Sequence, residues 1–551
     1  MATPGDGTPG TPDGPGTPDG PGSDLPGGTP PARPLGDVDP PLPPDDILQR
    51  YGARALDPVT AVRLPGRPAP RPTAYLAERL LVPARLWLDE AGRDQLRGLA
   101  ESLGVSLVPG SRSLALAVRL QEVSDGPLGE VLGGNPATVV VGLRTVGDGA
   151  VPPPDAWTVL QGLRGRAEAA ADAEAYAGLA LDHLMTSGPH WSANPHWSAN
   201  PHWSANPQWS ANPAGYGGSP SGRLPVAVVG ALPERRPDGD ERRPLVAVVD
   251  TGCGIHPWLP DTVVRRGLVV GGDEVGHTDP VTDPERTGNV AGPLDGGLDP
   301  VAGHGTFIAG VVRQACPDAD LLALRVVASD GTIVESEVLV ILEQLLLAVA
   351  HHRQGLGDGL ALDVLNLSMG FYPEEPDDAE EVARLWELLH GLGRLGVAVV
   401  ASAGNDATSR PAYPAAFAPL SETDPLAVPL TSVGALNPDS TRASFSNAGA
   451  WVRTWDVGGN VVSTLPVTFN TSDRPVVASR DPDGGYRATI DPDGYPGGFG
   501  IWSGTSFAGP LVAGRIAAAL AADCGDLDDH DVTIAVARGR TARQHVVRGV
   551  T

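Results

Sequence analysis

Ile501-Trp502-Ser503-Gly504-Thr505-Ser506-Phe507-Ala508-Gly509-Pro510 runs from an apolar approach through a small-residue turn into a long Ala/Val/Leu stretch. The stretch reads as a buried helix that opens near Thr505 and ends near Ala522, with Ser506 in its first turn. There the free N–H groups and the positive end of the helix dipole favour developing negative charge. Gly504 is expected to permit a tight turn and the close approach of a substrate backbone. A helix cap explains Gly-Thr-Ser equally well, because Ser and Thr are the usual capping residues. The neighbouring segments decide between cap and nucleophile.

From about residue 224, short Val/Ala/Leu runs alternate with helical segments. Expected strands are 226–232, 245–249, 319–327, 364–367, 397–401 and 431–436; expected helices are 334–352 and 378–395. This alternation predicts an α/β unit of three layers, with a mostly parallel sheet covered on both faces. In such sheets the active site gathers at the C-terminal ends of the strands. Four polar residues fall there. Asp250 ends the run Leu245–Val249, where a buried carboxylate can orient an imidazole. His304 stands between Gly303 and Gly305 at the start of a helix reaching about Ala315, and is the residue type most often used as a general base. Asn405 follows the run 397–401 and can donate an amide N–H to an oxyanion. Asn366-Leu367-Ser368-Met369-Gly370 ends another strand and leaves an edge on which an extended peptide can pair. Each has a bland reading as a turn, cap or core residue.

Together, in the order Asp, His, Asn, Ser, they form a specific pattern. Residues 240–523 resemble the subtilisin-like serine proteases, or subtilases, through DTGCGIHP at 250–257, GHGTFIAG at 303–310, NLSMG at 366–370, ASAGN at 401–405, ASFSNAG at 443–449 and SGTSFAGP at 503–510. The resemblance implies a serine endopeptidase with Asp250, His304 and Ser506 as catalytic triad and Asn405 as oxyanion donor. It implies a substrate edge at Ser368, Met369 and Gly370, and a specificity-pocket wall at Ala401, Ser402, Ala403 and Gly404. The substrate is then a peptide or protein, either broadly or as one dedicated processing target; no cofactor or metal is expected. The rival reading is an interaction or scaffold protein with a vestigial protease domain.

The rest of the chain sets bounds. A net charge of −27 argues against nucleic acid as a partner. All 39 basic residues are Arg. Three cysteines, Cys253, Cys316 and Cys524, do not suggest a disulfide framework. Cys253, three residues after Asp250, raises the question of thiol sensitivity. The N-terminal MATPGDGTPGTPDGPG lacks a basic and an apolar region, and the longest apolar stretch, 338–350, is too short for a membrane span; a cytoplasmic location is expected. Residues 1–45 are Gly/Pro-rich and expected to be disordered. Residues 73–186 predict a small α+β domain, with strands at 80–88, 105–108, 114–120 and 138–143, a helix at 89–103 capped by Asp89, and a helix at 156–185. Residues 187–223 carry three PHWSAN copies and one PQWSAN copy and read as a linker, not as a metal site. The 224–551 segment is the peptidase domain. The insertions at 271–300 and 466–497 read as a solvated surface and a hairpin. By the resemblance, 73–186 is either a propeptide removed by autoprocessing or a retained regulatory domain.

Overall fold

The N-terminal elements of this computed structural model are, in chain order, α1 (Asp45–Tyr51), β1 (Ala53–Ala55), β2 (Ala74–Pro83), α2 (Ala84–Leu88), α3 (Glu90–Ser102), β3 (Val105–Pro109), α4 (Ser111–Ser124), α5 (Gly129–Leu132), β4 (Thr138–Thr145), α6 (Ala156–Ala169) and β5 (Ala180–Thr186). Residues 35–146, 155–169, 176, 178–187, 223–237, 239, 242–291, 294, 296–375, 382–471, 475, 477–523 and 527–548 are described; most of the expected tail and nearly all of the repeat linker lie outside them. β2 is the hub of this layer. It pairs antiparallel with β1, β4 and β5, and β4 continues to β3.

The remaining elements are β6 (Leu224–Pro225), β7 (Leu245–Asp250), β8 (Val264–Arg266), the short pair β9 (Val269–Val270) and β10 (Asp273–Glu274), α7 (His304–Ala315), β11 (Asp320–Arg325), β12 (Thr332–Val334), α8 (Glu335–Arg353), β13 (Val364–Leu367), α9 (Ala383–Arg394), β14 (Ala398–Ser402), α10 (Ala418–Ser421), β15 (Thr431–Leu436), β16 (Thr454–Val457), β17 (Val461–Thr464), the hairpin β18 (Ala478–Arg480) and β19 (Tyr486–Ala488), β20 (Phe499–Trp502), α11 (Thr505–Asp523) and α12 (Val532–Arg548). Among the described residues a parallel sheet runs β16-β15-β14-β13-β7-β11-β8.

β7 is central because its side chains are apolar on both faces. Val246 and Val248 join the clusters packed against α7 and α11; Ala247 and Val249 join the cluster on the opposite side with α8 and α9. That alternation is the two-residue period of a strand. The second cluster does not stop at the helices. Leu81, Trp87, Leu120 and Leu160 of the N-terminal layer share it with Leu342, Leu346 and Leu388. α11 is the one helix among the described residues long and apolar enough to cross a membrane, but it is packed between α7, α12 and the sheet.

Several expectations differ from the outcome. The run 80–88 contains Pro83, which ends β2 and opens α2. Residues 114–120 belong to α4, whose buried Leu116, Leu120 and Val123 follow helical spacing. The helix expected over 156–185 stops at Ala169, and Ala180–Thr186 is a strand. Strand 226–232 is absent, leaving Leu224–Pro225. Residues 36–44 are not free: Val38 and Asp39 bond Thr408, Arg71 and Arg410. Asp89 caps α3 as expected, accepting from Gly92 N at 2.8 Å.

Candidate active site

Asp250 is the last residue of β7, and α7 begins with His304 on an adjoining edge. Gly303 turns the chain with φ +82°, a region open to glycine. Gly305 packs so closely on the end of β7 that a Cβ there would lie 2.1 Å from the Gly252 carbonyl oxygen. This contact brings His304 Nδ1 to 2.8 Å from Asp250 Oδ1. Asp250 is fully buried, and its Oδ1 also accepts from Thr251 N at 2.8 Å. The imidazole stands edge-on to Trp502 and 5.3 Å, ring to ring, from Phe507, the residue after Ser506.

Ser506 lies in the first turn of α11. Pro510 has no N–H for the Ser506 carbonyl, so that oxygen accepts from Ser368 Oγ at 3.1 Å. Ser402 Oγ holds the Thr505 carbonyl at 3.0 Å. Asn405 Oδ1 accepts from both Thr505 N, at 2.8 Å, and Thr505 Oγ1, at 3.0 Å. Those two donors fix the amide orientation and leave Nδ2 facing the other way as a donor. The tight approach at this turn falls on Gly458 and not on Gly504: a Cβ on Gly458 would lie 2.7 Å from the Gly504 oxygen, whereas a Cβ on Gly504 meets nothing within 3.4 Å.

The end of β5 fills the cleft in front of Ser506. Thr186 and Gly370 exchange both backbone hydrogen bonds at 2.9 Å. On the other side β5 pairs antiparallel with β12, and Ser187 N reaches Gly331 O at 3.2 Å. Residues 184–186 therefore lie extended at the edge of β12, Thr186 is held between β12 and Gly370, and Ser187 follows directly. The Ser506 hydroxyl donates to the Ser187 carbonyl oxygen at 3.0 Å. Beside Ser187 a cavity of about 30 Å³ is lined by Met369, Tyr372, Ala403, Gly404 and Asp406, among others.

A family model described as the subtilase family matches residues 241–547, more than half the chain. This chain belongs to the subtilase family. Subtilisin BL of Lederbergia lenta is 30% identical over 230 residues, covering 40% of this chain and 66% of that protein. The membrane-bound transcription factor site-1 protease of Mus musculus is 30% identical over 280 residues, covering 49% of this chain and 20% of that protein. The subtilase chain thus spans less than two thirds of the length of these relatives. A crystal structure of a lanthipeptide protease matches 50% of this chain and 72% of that one, at 19% identity and a TM-score of 0.32.

In this subtilase the fold bonds His304 to Asp250, sets the His304 ring against Phe507 on one side of Ser506, and bonds Asn405 to Thr505 on the other. Gly370 pairs with the strand in the cleft. Ser368 and Ser402 brace the turn that carries Ser506 from beneath while lining the cavity, with Met369, Ala403 and Gly404. Ala401 lies in the core. Three contributors were missed. Glu285 comes from the insertion expected to be solvated, yet it is buried behind the Asp250–His304 pair, bonded by Thr251, Thr306 and Gly305 N; burial pushes its carboxyl up to about 7. Asn447, within ASFSNAG, donates to Tyr372 Oη and Ala403 O and accepts from Asp406 N and Thr408 N, so it shapes the Asn405 loop. Arg223, read as the end of the linker, is fully buried and bonds the carbonyls of Asp299, Pro300 and Ala302 just ahead of His304. The sequence signals were faint: one Glu in a polar loop, an Asn in a motif without an assigned role, an Arg beside Gly and Ser. Burial pushes the Cys253 thiol up to about 12, which makes it a poor nucleophile.

Proposed function

We propose that this chain is a serine endopeptidase that works through Asp250, His304 and Ser506, and that its first substrate is its own Ser187–Gly188 bond. The observation that carries the reading is the Ser187 carbonyl oxygen 3.0 Å from Ser506 Oγ, directly after a strand whose last residue, Thr186, is paired with Gly370. That is a peptide presented to a nucleophile by an extended strand that ends one residue before the bond, with proximity and orientation supplied by the fold.

In this mechanism His304 takes the Ser506 proton while Oγ attacks the Ser187 carbonyl carbon. Asn405 Nδ2–H and the Ser506 N–H, in the first turn of α11 where helix donors have no helical partner, stabilise the oxyanion. Asp250 holds the His304 tautomer and stabilises the imidazolium. His304 then protonates the amine of Gly188 as the C–N bond breaks, leaving an ester between Ser506 and Ser187. Water, deprotonated by His304, hydrolyses that ester and restores the hydroxyl. After cleavage the N-terminal layer blocks its own cleft until it leaves. The small cavity beside Ser187 supports a preference for small residues before the cut, and so a narrow processing role.

Fluorophosphonate labelling and mass spectrometry of the full chain test this. Labelling at Ser506, a fragment ending at Ser187, and loss of both in Ser506→Ala are the expected results. An unlabelled folded protein that stays intact at residue 187 overturns the reading.

A further inference from the structure

His183 is the fifth residue before the Ser187–Gly188 bond, counting back from Ser187, and it is fully buried. Its ring meets two carboxylates from the C-terminal half of the chain. Nδ1 lies 2.6 Å from Glu335 Oε2, and Nε2 lies 2.8 Å from Glu374 Oε2. The same Glu335 oxygen accepts the His183 backbone N–H at 3.2 Å. Phe371 covers the ring face, with centroids 4.7 Å apart. Glu335 opens α8 beside β12, and Glu374 follows the Gly370 edge, so the pair stands on the two edges that hold the strand in the cleft.

Ionised carboxylates only accept hydrogen bonds. An imidazole that meets one on each nitrogen donates from both and is therefore cationic. Burial opposes that charge, but Glu374 and Glu335 outweigh it and hold His183 well above its ordinary range. Without a cation between them, two buried carboxylates repel each other and lose their partners, an arrangement that is costly in a low dielectric. The pocket therefore fits a positive side chain far better than an apolar or acidic one.

We propose that Glu335 and Glu374 form a subsite of the protease that selects a cationic residue five positions before the cleaved bond, in its own N-terminal region and in protein substrates. This rests on the reading of Ser187–Gly188 as a cleavage site. It extends recognition beyond the cavity beside Ser187 to a charged anchor at the far end of the cleft. A processing target is then marked by a basic residue, three intervening residues and a small residue before the cut.

The test uses the full chain and quenched fluorogenic peptides of residues 181–190, with His, Arg, Ala or Glu at the position of His183. The expected kcat/KM for the His and Arg peptides is at least 10-fold above the Ala peptide, with the Glu peptide lowest. In Glu335→Gln and Glu374→Gln, each confirmed as folded by Ser506 labelling, the His-to-Ala ratio is expected to fall toward one. Turnover of all four peptides within twofold, or of none by enzyme that still labels, overturns the subsite. So does an unchanged ratio in both variants. A chain that neither labels at Ser506 nor cuts after Ser187 sinks the protease reading itself, and the subsite with it.

Discussion

At the scale of single residues the site is shaped by which polar atoms are already bonded and which are left to act. Asn405 illustrates this. Its Oδ1 is taken by Thr505 N and Oγ1, so its Nδ2 is the group left to donate. Removing one oxyanion donor costs about 3 kcal/mol in the transition state, roughly 10²-fold in rate. Asn405→Ala is therefore expected to lower kcat on a peptide substrate by about 10²-fold with KM little changed. Asn405→Asp keeps the acceptor for Thr505 and loses the donor, so it is expected to fall as far. Steady-state kinetics on both variants separate the roles: near-normal kcat in Asn405→Asp would leave Asn405 with only a bracing role. Residues of this kind were legible in the sequence because chemistry needs a fixed residue type at the end of a strand or start of a helix. Glu285 was not legible. It is one of seven acidic residues in the 271–300 insertion, and what makes it part of the site is burial under Thr251 and Thr306, a property of the folded chain.

At the scale of elements, position is set by close packing. α7 can present His304 to Asp250 only because Gly305 has no side chain. A Cβ there would lie 2.1 Å from Gly252 O and 2.9 Å from Thr251 Oγ1. Gly305→Ala is expected to push the start of α7 off β7, lower kcat by at least about 10²-fold and destabilise the fold by about 1–3 kcal/mol. Gly98→Ala is the control: it lies in α3 with nothing within 4 Å of the added Cβ, and is expected to gain up to about 1 kcal/mol with activity unchanged. Denaturant unfolding and kinetics on the pair check this; equal behaviour would remove the packing argument. The parallel strands were legible because β7, β13, β14 and β15 are apolar runs of strand length. β5 was not. Ala180–Thr186 is rich in residues that favour helices, and it follows an Ala-rich stretch of sequence. Its strand conformation comes from pairing with β2 and β12, which no local pattern announces. The element that lays Ser187 before Ser506 was thus among those hidden from a sequence reading.

At the scale of the whole molecule, the N-terminal layer and the protease core meet through buried ionisable groups, and their shifts agree in sign above pH 5. Glu343 of α8 accepts from Thr138 N of β4, and burial pushes it from 4.5 up to about 8. Asp182 of β5 accepts from Ser336 N and Oγ at the start of α8, and burial pushes it from 3.8 up to about 6. His183 is held above its ordinary 6.5 by Glu374 and Glu335 against the effect of burial. In each case the packed state keeps a proton that the separated or unfolded state has lost. Stability therefore falls with rising pH, from about 4 to 6 for Asp182, from 4.5 to about 8 for Glu343, and above 6.5 for His183. Glu374, lowered by His183, acts in the opposite direction only below 4.5. In the uncleaved Ser506→Ala chain, Tm is thus expected to fall from pH 6.5 to pH 9; below 6.5 the histidines His256 and His352, which burial holds down to about 4, pull the other way. Adding Glu343→Gln keeps the acceptor for Thr138 and removes the buried charge, so it is expected to matter little at pH 5, to raise Tm at pH 8, and to flatten the curve between. Scanning calorimetry across that range is the check. A Tm that is level or rising from pH 6.5 to 8, or a Gln variant that tracks its parent, would show that the interface does not hold these protons. If the curve falls as expected, the cleaved N-terminal layer should leave the cleft more readily in alkaline than in acidic solution, which ties release of the active site to the groups that dock it.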